Sequence, residues 1–163
     1  MKKFLALTIA AGIAISSFAQ SSYSNIKLEE KEDYKIAEAT VLKASEYLFT
    51  TKYDKEDLER LYAIEFIMKW MNGTPDFSFE LNEKFTKPFL HETDLLGLYM
   101  GALAKFAIEH KDQAKDATTV NLNAVKIIIG YSSKPSNNLK QTGELKKMAA
   151  ALKKGELEKY FGI

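Results

Sequence analysis

The sequence predicts an all-α protein, a bundle of about five helices built from two antiparallel helix hairpins. Three observations predict it. Apolar residues recur at three- and four-residue intervals along most of the chain, as they do on one face of a helix. The breaks at residues 50–53 and 111–113 are short enough to join antiparallel neighbours. A single stretch, Phe77-Ser78-Phe79-Glu80-Leu81, alternates with the period of a strand.

Residues 1–19 read as an export signal. Lys2 and Lys3 supply a positive start, Phe4 to Ile15 an apolar run, and Ser17-Phe18-Ala19 small residues before a cut. The pattern predicts cleavage between Ala19 and Gln20, leaving 144 residues in the periplasm or outside the cell. The apolar run is shorter than the roughly 20 residues a membrane-spanning helix needs. Gln20 to Asp33 is polar and mixed in charge and is expected to be a mobile N-terminal arm, followed by a single helical domain over 34–163.

The first helix starts at Tyr34, with Ala37, Val41, Ala44 and Leu48 on one stripe. Asp54 is the expected cap of the second, because a carboxylate there accepts from an orphan backbone N–H. Leu58, Leu61, Ile64, Met68 and Met71 form one apolar row of that helix; Ala63, Phe66, Ile67 and Trp70 form another. Apolar over most of its circumference, it is expected at the centre of the bundle. Gly73 is expected to end it in a left-handed conformation, and Pro75 forbids its continuation. The third helix starts near Thr93, and the fourth carries Ala117, Val120, Ala124, Val125, Ile128 and Tyr131. Leu145, Met148, Ala149 and Leu152 mark the last helix, and Gly155 separates it from a final turn.

Between the hairpins lies a connector of unusual length, residues 73–92. Such loops are commonly functional, and this one holds Phe77, Phe79, Phe85 and Phe89. Its alternating stretch could turn at Asn82-Glu83-Lys84 and pair back as a short β-hairpin. The expected binding site is here, with Trp70, Phe77, Phe79, Phe85, Phe89 and Tyr99 around an apolar pocket. The competing expectation is that the same rings close the core.

Composition removes several function classes. With no Cys, there are no disulfides, no thiol catalysis and no cysteine-held metal. The 23 basic and 22 acidic residues give nucleic acid no electrostatic footprint. His91 and His110, the two histidines, stand 19 residues apart at opposite ends of one helix, too far to share a metal. No nucleophile elbow or phosphate-binding glycine loop occurs. No catalytic residue, metal or cofactor is therefore assigned. Glu65, Asp76 and Asp94 are the carboxylates to consider if the protein is an enzyme instead. Gly97 and Gly101, four apart, offer a close-packing face for a third reading, a structural homo-oligomer. Residues 134–163 carry seven Lys against three Glu, expected to be a solvated face.

The signal ending Ser-Phe-Ala-Gln, the run Phe66-Ile-Met-Lys-Trp-Met-Asn-Gly-Thr-Pro-Asp-Phe77 and Leu95-Leu-Gly-Leu-Tyr-Met-Gly-Ala-Leu103 resemble uncharacterised small exported helical proteins of Bacteroidetes. The resemblance implies a periplasmic or secreted all-α protein and brings no catalytic residues with it. The expectation is an exported binding or interaction domain for an apolar ligand or a protein partner.

Overall fold

A computed structural model describes residues 23–90 and 93–163. The expected signal, its cleavage point at Ala19 and Gln20, and His91 and Glu92 lie outside the described residues. Among the described residues these α-helices run in order: α1 Lys31–Thr50, α2 Leu58–Gly73, α3 Glu83–Thr86, α4 Thr93–Glu109, α5 Ala117–Ser132, α6 Gly143–Lys153 and α7 Leu157–Tyr160. A 3-10 turn, Pro135–Asn137, precedes α6. The described residues contain no strand, and none of their helices is long and apolar enough to cross a membrane.

α1 starts at Lys31, three residues before the expected Tyr34. The Asp33 carboxylate accepts from the backbone N–H groups of Glu29 and Glu30 at 3.1 and 3.0 Å, so part of the charged run is a helix cap. Tyr34 donates to the Leu28 carbonyl at 3.0 Å, Leu28 is buried, and Tyr23 stacks on Phe66 at 5.1 Å. From Tyr23 onward the expected arm thus lies on the bundle. α2 is capped by Asp57, not Asp54: Asp57 accepts from Glu59 N–H at 2.9 Å and Arg60 N–H at 3.4 Å. Asp54 instead closes the preceding turn through Glu56 N–H at 3.0 Å.

The ends of α1 and α2 meet in antiparallel order. Tyr47 donates to Asp57 at 2.8 Å, and Trp70 Nε1 donates to the Tyr34 carbonyl at 2.8 Å. α4 and α5 form the second hairpin, tied inside by Tyr99 donating to Asn121. Between the hairpins, a Cβ on Gly97 would meet Ile64, and one on Gly101 would meet Leu48 and Ile67. The glycine pair therefore seats α4 against α1 and α2 of its own chain and is not a free face for oligomer contact. Because Ile64 and Ile67 follow Gly97 and Gly101 in the same direction, α2 and α4 run parallel. Parallel neighbours need a return path the length of a helix, and the long connector supplies it.

The expected β-hairpin does not form. Phe77 to Leu81 has no ladder partner among the described residues. Asn82 caps the single-turn α3, accepting from Lys84 N–H at 2.9 Å. The period-two alternation serves packing on a helix instead: it places Phe77 and Phe79 on one side, both against Trp70.

Two other expectations are corrected at α2. Gly73 is helical, and the left-handed glycines are Gly155 and Gly162. Gly155 follows α6 in a Schellman arrangement, with Glu156 N–H donating to the Ala151 carbonyl and Gly155 N–H to that of Leu152. Nor does α2 sit at the centre of the bundle. Ala63, Phe66, Ile67 and Trp70 are buried, but Leu58 and Leu61 are 61% and 57% exposed.

Candidate functional site

The six aromatic residues expected to line a pocket separate into three packed groups. Trp70 is fully buried, and the rings of Phe77 and Phe79 lie 5.4 and 6.0 Å from it. Phe89 stacks on Tyr99 at 4.9 Å, both fully buried. Phe85 meets Phe161 at 4.6 Å, which brings the C-terminal turn against α3. Lys111 adds a clasp at the first group, its ammonium 5.8 Å from the Phe77 ring and paired with the largely buried Glu38. Phe85 and Phe89 are buried in the core, and Phe77 and Phe79 pack against it half-buried.

Beside them an open groove remains. Met68, Met71 and Asn72 of α2 form one wall, and Leu96 and Met100 of α4 the other. Phe79, Leu81, Thr86 and Leu90 of the connector close its end, around a volume of ≈ 330 Å³. Of the six expected residues, Phe79 alone lines it. The groove exists because parallel α2 and α4 diverge in side-chain size: Gly97 and Gly101 let the helices meet on the inner side, and long unbranched methionines border the outer one. Met68, Leu81 and Leu90 are 44%, 56% and 53% exposed. Apolar surface left in water is worth about 25 cal/mol per Å² to whatever covers it, and methionine side chains adapt to irregular partners. The groove offers Asn72 and Thr86 as its polar groups.

The sequence did hold a signal for these residues. Leu58, Leu61, Met68 and Met71 make one more apolar row on α2 than a core-facing stripe requires. An excess row marks either a central helix or an exposed apolar face, and periodicity alone does not separate the two.

The candidate carboxylates do not assemble. Glu65 is exposed, makes no ion pair with Lys69, and borders a different cleft of ≈ 260 Å³ beside Tyr23 and Tyr62. Asp76 is exposed in the turn after α2. Asp94 accepts from the Tyr53 hydroxyl at the start of α4. His110 stacks on Phe106 at 4.3 Å, its Nδ1 3.2 Å from the Phe106 carbonyl oxygen. In the lysine-rich C-terminal segment, α6 turns Leu145 and Met148 into the core, and Glu144 and Glu156 pair with Lys147 and Lys159. Comparison of the chain with protein-family models, with curated proteins and with solved structures gives no match in any of the three.

Proposed function

We propose that this chain is an exported helical binding protein that holds apolar groups of another molecule in the groove between α2, α4 and the connector. The observation that carries the reading is the exposure of Met68, Leu81 and Leu90 around one concavity lined mostly by apolar side chains. Its volume falls within the roughly 300–1,000 Å³ of ordinary ligand pockets. The sequence supports export through the three-part pattern ending at Ala19.

One preparation tests both halves. The full chain is expressed in a bacterial host and recovered from the periplasm; intact mass should place the new N-terminus at Gln20. Titration with Nile red, an apolar dye whose emission shifts to the blue in apolar surroundings, should then saturate. The double variant Leu81→Asp/Leu90→Asp should fold normally, because both side chains are exposed, and should weaken dye binding by about tenfold or more, the effect of about 1.4 kcal/mol. Dye binding unchanged in that variant would place the apolar site elsewhere and overturn the reading.

A further inference from the structure

Resting on that reading, we infer that the occupant of the groove is a basic amphipathic helix of a partner protein. The apolar surface does not stop at the groove. Leu61 lies seven residues before Met68 on the same side of α2, with Leu58 one turn further, so the exposed row extends about 15 Å from Leu58 to Met68 at 1.5 Å per residue. A strip of that length along the seam of two parallel helices suits a third helix, which would anchor apolar residues at three- and four-residue spacing. A strand has nothing to join, since the described residues contain no sheet edge.

The charge around the strip selects the partner's sign. Four of the six residues from Asp54 to Glu59 are acidic, and Asp94 of α4 faces the same crevice, above Leu61, Ile64 and Leu98. Lys55 is already paired with Glu56 at 3.6 Å. The other cation of the crevice, Arg60, is buried and donates inward, to Thr51 Oγ1 and the Leu48 carbonyl, both at 3.0 Å. Asp54, Asp57 and Asp94 thus outnumber the two cations of the crevice, and apolar residues rimmed by excess carboxylate repel an anionic lipid surface and attract lysine or arginine beside an apolar stripe. The chain's own basic helix, α6, does not qualify, because its large apolar side chains Leu145 and Met148 point into the core.

The probes are three fluorescein-labelled peptides of about 18 residues, five turns of helix. One places Leu on a helical stripe with Lys elsewhere; one keeps the Leu positions and carries Glu in place of Lys; one scrambles the Leu/Lys composition. Fluorescence anisotropy with the processed protein should show the striped Leu/Lys peptide bound about tenfold more tightly than either control. Leu61→Asp should weaken it, and Asp54→Asn/Asp94→Asn, two carboxylates of the crevice, should weaken it while leaving Nile red binding intact. Raising salt from about 0.1 M to about 1 M, which shortens the screening length from about 10 Å to about 3 Å, should reduce its affinity. Equal affinity for the Lys and Glu peptides, or for the scrambled one, would overturn the inference while the dye still reports the groove. A dimer in sedimentation that Leu61→Asp abolishes would make a second copy the occupant and overturn it as well. Loss of the dye result would remove the groove reading itself.

Discussion

Tyr34 rests its ring where Gly73 has no side chain. A Cβ at Gly73 would lie 2.0 Å from the Tyr34 hydroxyl oxygen and 2.3 Å from Cζ, far inside contact distance. The ring cannot step aside freely, since its hydroxyl donates to the Leu28 carbonyl and its own carbonyl accepts from Trp70. Gly73→Ala should therefore destabilise the fold by about 1–3 kcal/mol, the usual cost of forcing an extra methyl into a packed site. Gly97→Ala should cost less: Ile64 is half-buried and its Cδ1, 2.7 Å away, is the end of a flexible chain. The gain of about 1 kcal/mol for Ala over Gly inside a helix also offsets the clash there. Urea unfolding of the two variants separates the cases; equal midpoints would mean that Tyr34 is not seated as described. Gly73 was legible as a helix end from Asn72-Gly73 and Pro75. Its reason was not, because the ring it accommodates comes from 39 residues earlier in the sequence.

At the scale of elements, α2 decides both stability and site. Its N-terminus depends on one carboxylate doing three jobs: Asp57 accepts from Glu59 N–H, from Arg60 N–H and from the Tyr47 hydroxyl. Asp57→Ala should cost about 1–2 kcal/mol, toward the upper end for a lost cap. Asp54→Ala, which removes one exposed turn contact, should stay within about 0.5 kcal/mol. If chemical denaturation ranks the two in the opposite order, Asp54 is the cap after all. Both aspartates precede an apolar run, and local sequence cannot rank them; the choice is fixed by Tyr47, which arrives from the neighbouring helix. The helices themselves were legible because their periodicity is local. The α2 rows are equally legible, but which row is buried depends on where α4 lies. The connector shows the same limit. Its alternation was visible, yet alternating rings pack on a helix or pair in a sheet, and Trp70 settled the matter. The groove residues Leu96 and Met100 stand in an apolar helix whose spacing marks no groove, because a concavity is made by what neighbours fail to fill.

For the whole molecule, tyrosine hydroxyls do the cross-linking that a chain without Cys cannot. Tyr47 ties α1 to Asp57 at the head of α2, and Tyr99 ties α4 to Asn121 of α5. Tyr131 of α5 donates to the Thr51 carbonyl at 2.7 Å, and Tyr160 of α7 to Glu144 of α6 at 2.5 Å. Burial holds the Tyr99 hydroxyl well above the ordinary tyrosine range, and burial together with the Asp57 carboxylate does the same at Tyr47. Tyr160 is pushed up to about 12 by burial and then by its bond to Glu144; burial also raises Tyr131, against the pull of Arg60. An unfolded tyrosine ionises near about pH 10. The raised folded values therefore contribute stability that is complete below that point and is lost as pH climbs through the folded ones. At the acid end the sign reverses. Hydrogen bonds from Lys147 and Tyr160 hold Glu144 below its usual range, and those from Thr119 do so for Asp116. Their contribution is present above about pH 4 and disappears as pH falls through the lowered values. The urea midpoint should thus be level between about pH 5 and 9.5 and fall on both sides. The alkaline limb is the sharper test, because each ionisation there cuts a tie between two elements. The part of the 295 nm absorbance contributed by Tyr47, Tyr99, Tyr131 and Tyr160 should rise later in the native protein than in urea, together with the loss of helix. A native absorbance that rises in full near pH 10 with the helices intact would show that these four hydroxyls do not hold the bundle together.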